Sequence, residues 1–151
     1  MILKNVLLAA LGATGFAILF GMSKKRLWII FFTSGAAWYG YLMLCRCFHN
    51  TIAALFVITV LVVLLSKIII KFTKGPVLLF FTPILIPFIP GATLYYAMSD
   101  LVRKSPETNE NLQLLVYQVS ALALGILVAE LLIVFLNSFR NNKCKKYINS
   151  Q

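Results

Sequence analysis

TPILIPFIPGATLYYAM, residues 82–98, decides how this chain is read. Pro83, Pro87 and Pro90 have no backbone N–H to offer the carbonyls of Leu79, Pro83 and Ile86, so each breaks a helical hydrogen bond. Each also pushes the residue before it (Thr82, Ile86, Ile89) toward extended geometry. Gly91 then tolerates whatever turn the chain needs. The helix is expected to unwind between roughly residues 82 and 91. The apolar run from Pro76 to Met98 is of membrane length and centres on Pro87, which puts the break near the bilayer midplane.

Non-helical backbone at that depth has to be buried in protein or line a polar cavity, an arrangement typical of transporter binding sites. A half-helix starting at Gly91, Ala92 and Thr93 would aim free N–H groups and a positive dipole end into the break, which suits a carboxylate. Thr82, Thr93, Tyr95 and Tyr96 place hydroxyls nearby. The candidate substrate-binding residues are therefore Thr82, Pro83, Pro87, Pro90, Gly91, Thr93 and Tyr95, facing an anionic or zwitterionic small molecule. The competing reading is a structural helix kinked by proline.

Composition sets the frame for that segment. Of 151 residues, 61% are hydrophobic and only 12% charged, and the mean hydropathy is +0.92, which excludes a soluble domain of ordinary composition. The fold class is an all-α integral membrane protein of about five transmembrane helices, the fourth broken by prolines near the midplane. The spans are expected at about Ile2 to Met22, Leu27 to Cys45, Thr51 to Ile70, Pro76 to Met98 and Leu112 to Phe139. Residues 1–139 form one transmembrane domain and 140–151 a basic cytoplasmic tail. The first segment lacks a small-x-small cleavage site and is long enough to span, so it reads as a mature helix.

The net charge of +10 arises at the ends of apolar runs, which points to topology signals and lipid headgroups and away from nucleic acid. Ten basic residues fall on one side: Lys24, Lys25 and Arg26, then Lys67, Lys71 and Lys74, then four in the tail. Lys4, Arg46, Arg103 and Lys104 fall on the other. The positive-inside bias places the N-terminus outside and the C-terminus in the cytoplasm of a multi-pass cell-membrane protein.

Motifs of chemistry are missing. Cys45, Cys47 and His49 resemble a metal cluster, but one His and a helical spacing of two do not assemble four ligands, so no metal is expected. The chain has no HExxH, GxSxG or P-loop, which argues against an enzyme and against a cofactor. Glu130 lies inside the fifth span, where an acid costs about 2.5–3.5 kcal/mol, so it should be protonated, paired or functional. Proton coupling and a structural interhelical hydrogen bond are both open for it. Small residues four apart, Ala9, Ala13, Ala17 and Gly21 on the first helix and Ala121, Gly125 and Ala129 on the fifth, predict close helix packing. Gln113, Tyr117 and Ser120 form a further polar stripe on the fifth.

With GFAILF (residues 15–20) before the basic turn, SGAAWYG (34–40) in the second span and PFIPGATLYYAM (87–98), the chain resembles the threonine/serine exporter (ThrE) family. Within it, the chain resembles the short YjjB-like membrane subunit of the split form. The proline segment carries the family's P-x-x-P-G-x-x-x-Y pattern at Pro87, Pro90, Gly91 and Tyr95. The resemblance implies export of small metabolites, either threonine/serine-like amino acids or dicarboxylates such as succinate, beside a larger partner subunit. A non-transporting membrane scaffold or assembly subunit is the alternative.

Overall fold

The computed structural model describes residues 2–73, 77–104, 106 and 108–148, with side chains for 2–71, 80–104, 106 and 108–138. Lys74, the expected span start at Pro76 and the basic side chains of the tail lie outside the described residues. In chain order the elements are α1 (Ile2–Leu19), α2 (Lys24–Phe48), α3 (Thr51–Thr73), α4 (Val77–Leu85), a 3-10 turn (Ile86–Phe88), α5 (Gly91–Arg103) and α6 (Thr108–Ile148). Four helices are long and apolar enough to cross a membrane. The bent pair Phe80–Phe88 and Gly91–Arg103 makes a fifth span if the two cross together.

Local chemistry explains the helix ends. Gly21, at φ +69°, closes α1, with the Gly21 N–H donating to Ile18 O (2.9 Å) and the Met22 N–H to Ala17 O (3.2 Å). Gly21, expected as a packing residue of the first helix, lies past the end of α1, in a left-handed turn that glycine adopts without strain. His49 at φ 51° ends α2, and the Asn50 side chain opens α3 by accepting the Ile52 and Ala53 N–H groups at 2.9 and 3.3 Å. α6 does not stop at Phe139; its helix continues through Ile148.

The core mixes alanines with large apolar residues of α2, α3 and α4, while many other large ones face outward. Ala9, Ala10, Ala13 and Ala17 of α1 are buried against α2, while Leu3, Leu11 and Leu19 point away. Lipid solvates leucine as well as the interior does, so packing in a membrane rewards close backbone approach instead. α3 is the central helix, in contact with α2, α4 and α6 and burying Leu55, Ile58, Val62 and Val63. Its buried hydroxyls are internally satisfied, Thr59 by Leu55 O and Ser66 by Val62 O, both at 2.7 Å.

α3 and α6 run parallel and cross at Gly125, where a Cβ would sit 2.9 Å from Thr59 Cβ and 3.1 Å from Phe56 O. Ala121 and Ala129 are buried on that same α6 face. α4 wedges among α1, α2 and α3, and α5 packs along α6, where the Asn111 amide donates to Asp100 Oδ2 at 2.6 Å.

The fourth span departs from expectation in where it breaks. Thr82 and Pro83 stay helical within α4, and the irregular part is confined to residues 86–90. Pro83, Ile84 and Phe80 are fully buried between neighbouring helices, and that packing carries α4 past a proline that costs it one hydrogen bond. Ile86 enters a 3-10 turn, and only Ile89 is extended (φ −63°, ψ 126°). α5 then leaves at 50° to the preceding segment.

Candidate functional site

Where α4 gives way to α5, the break faces a cavity of about 340 Å³ whose walls come from four elements. The break supplies Pro87 through Thr93, α2 supplies Trp38 and Tyr41, α3 supplies Leu55, and α6 supplies Gln118. Trp38 lies ten residues before the end of α2 and Gln118 ten after the start of α6. At 1.5 Å per residue both sit about 15 Å from the same end of the bundle, the middle of a hydrocarbon core about 30 Å thick.

Two side-chain atoms at this cavity are buried without a hydrogen-bond partner: Trp38 Nε1, a donor, and Gln118 Oε1, an acceptor. A buried polar group left unpaired costs about 1–3 kcal/mol, so an orphan donor and an orphan acceptor on two residues lining one space point to a polar occupant. The α5 N-terminus adds to this. Gly91 N–H is taken by Ile89 O (2.7 Å), and the first intrahelical bond runs from Leu94 N–H to Pro90 O (2.9 Å), which leaves the amides of Ala92 and Thr93 beyond the helix's own reach. No side chain caps this end. A Cβ on Gly91 would meet nothing within 4 Å, and its φ is not positive, so this glycine keeps space open and is not required by the turn.

Aromatic rings make the apolar wall. Trp38, Tyr41 and Phe88 form a triangle with centroids 5.4, 5.4 and 5.7 Å apart. Trp38 and Pro87 also bound a second cavity of about 350 Å³ against α1, reaching Asn5 and Gly12, so the indole and the proline stand as a partition between two spaces. The cavity at the α4–α5 break has no Lys, Arg, Asp or Glu among its lining residues.

Of the residues singled out in the sequence, Pro87, Pro90, Gly91 and Thr93 line this cavity; Thr82, Pro83 and Tyr95 do not. Thr82 and Pro83 belong to α4 below it, and Tyr95 is 68% exposed on the outer face of α5, beside Tyr96. The stripe Gln113, Tyr117 and Ser120 also faces out, with the Gln113 amide donating to Tyr117 Oη at 2.8 Å. Sequence reasoning passed over Gln118 and Trp38. The available signal was a lone amide in an apolar run and an indole in the SGAAWYG segment.

Glu130 is held by Lys67, a residue whose place in the sequence suggests only a topology signal. Lys67 Nζ of α3 lies 2.7 Å from Glu130 Oε2, the two side chains 27% and 41% exposed. Glu130 is twelve residues beyond Gln118, about 18 Å farther along α6, so the ion pair and the cavity share the α3–α6 helix pair at different depths. Among the described residues no group of His, Cys, Asp and Glu could hold a metal ion.

Comparison with known families matches residues 5–132 to the family described as threonine/serine exporter, ThrE. No match is found among curated proteins or among solved structures. The matched stretch takes in every helix that lines the proline break, together with Lys67 and Glu130. A multi-pass helical chain with a broken span and a polar-lined pocket at mid-depth, matched over most of its length, belongs to the threonine/serine exporter family, a family of transporters.

Proposed function

We propose that this chain is the membrane subunit of a secondary exporter for small amino acids of the threonine/serine kind, which bind in the cavity at the α4–α5 break. The observation that carries this is that two residues lining a space of about 340 Å³, Trp38 and Gln118, each hold a buried polar atom without a partner, Nε1 and Oε1. An α-carboxylate would accept from the indole N–H and from the Ala92 and Thr93 amides. The ammonium would donate to Gln118 Oε1 and sit against the aromatic triangle. Because no cation lines the cavity, a zwitterion fits better than a dianion such as succinate, whose two charges would be buried with only one site of complement.

Three further elements belong to the same reading. Glu130 is the acid on α6 available for proton coupling, and it would have to leave Lys67 to carry a proton. A larger companion subunit is supported by the resemblance of the short chain to one half of a split exporter; the outward-facing Gln113, Tyr117 and Ser120 bond within α6 and do not themselves require a partner. An N-terminus outside and a cytoplasmic tail follow from the Lys/Arg asymmetry.

The experiment is efflux of labelled threonine and labelled succinate from cells making the chain with a candidate companion, comparing wild type with Gln118→Leu at equal membrane abundance. The expected result is threonine efflux that Gln118→Leu removes, with little succinate movement. Threonine efflux unchanged in Gln118→Leu would leave the scaffold reading in place.

A further inference from the structure

We infer that the seam between α1 and α2 is a binding site for one anionic phospholipid, its phosphate on Lys24 and Lys25 and an acyl chain in the groove below them. The groove opens as a cavity of about 430 Å³ lined by Thr14, Lys24, Leu27, Trp28 and Phe31. At Phe31 it meets a second cavity of about 610 Å³ along the same two helices. Ala10 and Gly35 form its floor, where the two helices come close: a Cβ on Gly35 would touch Ala10 Cβ and Val6 Cγ1 at 3.6 Å. Its one lining hydroxyl in the first part, Thr14 Oγ1, is already used by Ala10 O at 2.7 Å, so what remains is apolar with a cation at its mouth.

Charge at that end selects the headgroup. Lys24 and Lys25 are exposed and have no acidic partner among the described residues. Arg26, by contrast, turns toward the Phe80 ring, 5.9 Å from its centroid. The acids are elsewhere: Asp100 bonds Asn111 at the opposite end, Glu110 sits in the first turn of α6, and Glu130 holds Lys67. Trp28, one turn below Lys24, is 67% exposed and stacks on Phe32 at 6.3 Å, the position an indole takes at headgroup level.

Length agrees as well. From Lys24 to Phe31 is seven residues, about 10 Å, and one leaflet's hydrocarbon is about 15 Å deep, so a single chain runs through the first cavity into the start of the second. A transmembrane helix would cover the groove but would leave the lysines at its mouth without a complement.

The chain has two tryptophans, so Trp38→Phe leaves Trp28 as the sole reporter. The purified full-length Trp38→Phe chain in micelles is titrated with phosphatidylglycerol or phosphatidylcholine brominated on the acyl chains. Trp28 quenching is expected at about 25-fold lower phosphatidylglycerol than phosphatidylcholine, and that preference should fall about fivefold for each of Lys24→Gln and Lys25→Gln. Lys71→Gln, at the same end but away from the groove, should leave it intact. Equal quenching by both lipids, or a preference that survives the double substitution, overturns the site. Displacement of the brominated lipid by soluble glycerol phosphate would mean a free-phosphate site, and no quenching by either lipid would mean that a second copy covers the groove. Either result refutes the proposal.

Discussion

Gly125→Ala tests the seam on which both the cavity and the ion pair depend. The added methyl would lie 2.9 Å from Thr59 Cβ, 3.0 Å from Thr59 Cγ2 and 3.1 Å from Phe56 O. Carbon atoms rest at about 3.5–4.0 Å, so α3 and α6 must part by roughly 0.5–1 Å. Thr59 cannot turn aside cheaply, being β-branched and tied through its hydroxyl to Leu55 O at 2.7 Å. Overpacking of this kind costs about 1–3 kcal/mol, and the better helix propensity of alanine returns about 1 kcal/mol. The net expectation is destabilisation by about 1 kcal/mol.

Gly15→Ala on α1 is the control, because a Cβ there meets nothing within 4 Å and only the propensity gain of about 0.5–1 kcal/mol remains. The two substitutions should therefore have opposite signs in thermal unfolding of the purified chain in micelles. Gly125→Ala should also lower efflux, since Leu55 and Gln118 line the cavity from the two helices being parted. If Gly125→Ala melts at or above the wild-type temperature, the tight crossing is not what sets the α3–α6 distance, and the reasoning fails.

Other outcomes follow from the same geometry. Gln118→Leu and Trp38→Phe each remove a buried, unpartnered polar atom, so the melting temperature should hold or rise by the equivalent of up to about 1 kcal/mol while threonine efflux falls; loss of stability parallel to loss of transport would show a merely structural role. Gly91→Leu should insert and fold normally, because the space beside it is open, yet block the cavity; full efflux in that variant would argue against the site. Lys67→Met leaves the Glu130 carboxylate without its partner at the edge of the hydrocarbon and, the two side chains being partly exposed, should cost about 1 kcal/mol or less, and Lys67→Met with Glu130→Leu should cost less than the single change. A double variant as damaged as the sum of both singles would deny that the pair acts as a unit.

Membrane class, the approximate spans and the existence of a broken fourth helix were legible in the chain itself, because hydropathy and the missing proline N–H act over a few residues wherever the segment lies. The start of a half-helix at Gly91 could be read in the same way. Thr82 and Pro83 could not be placed correctly, because whether a helix survives a proline depends on what packs around it, and here Phe80, Pro83 and Ile84 are sealed by three neighbours. Gly21 looked like one more packing residue at spacing four until the left-handed turn after Leu19 took it out of the helix.

Only the tertiary arrangement could select Gln118 over the stripe of Gln113, Tyr117 and Ser120, five residues or fewer away on the same helix. The 3.6-residue period says which side chains share a face, but not which face a neighbour will cover. The partner of Glu130 was hidden for a related reason: Lys67 is 63 positions away and meets it because α3 and α6 run parallel in a register set at Gly125. Local chemistry determined where the backbone must break, whereas rotation and register between packed helices, which depend on contacts distant in sequence, decided which side chains the break would face.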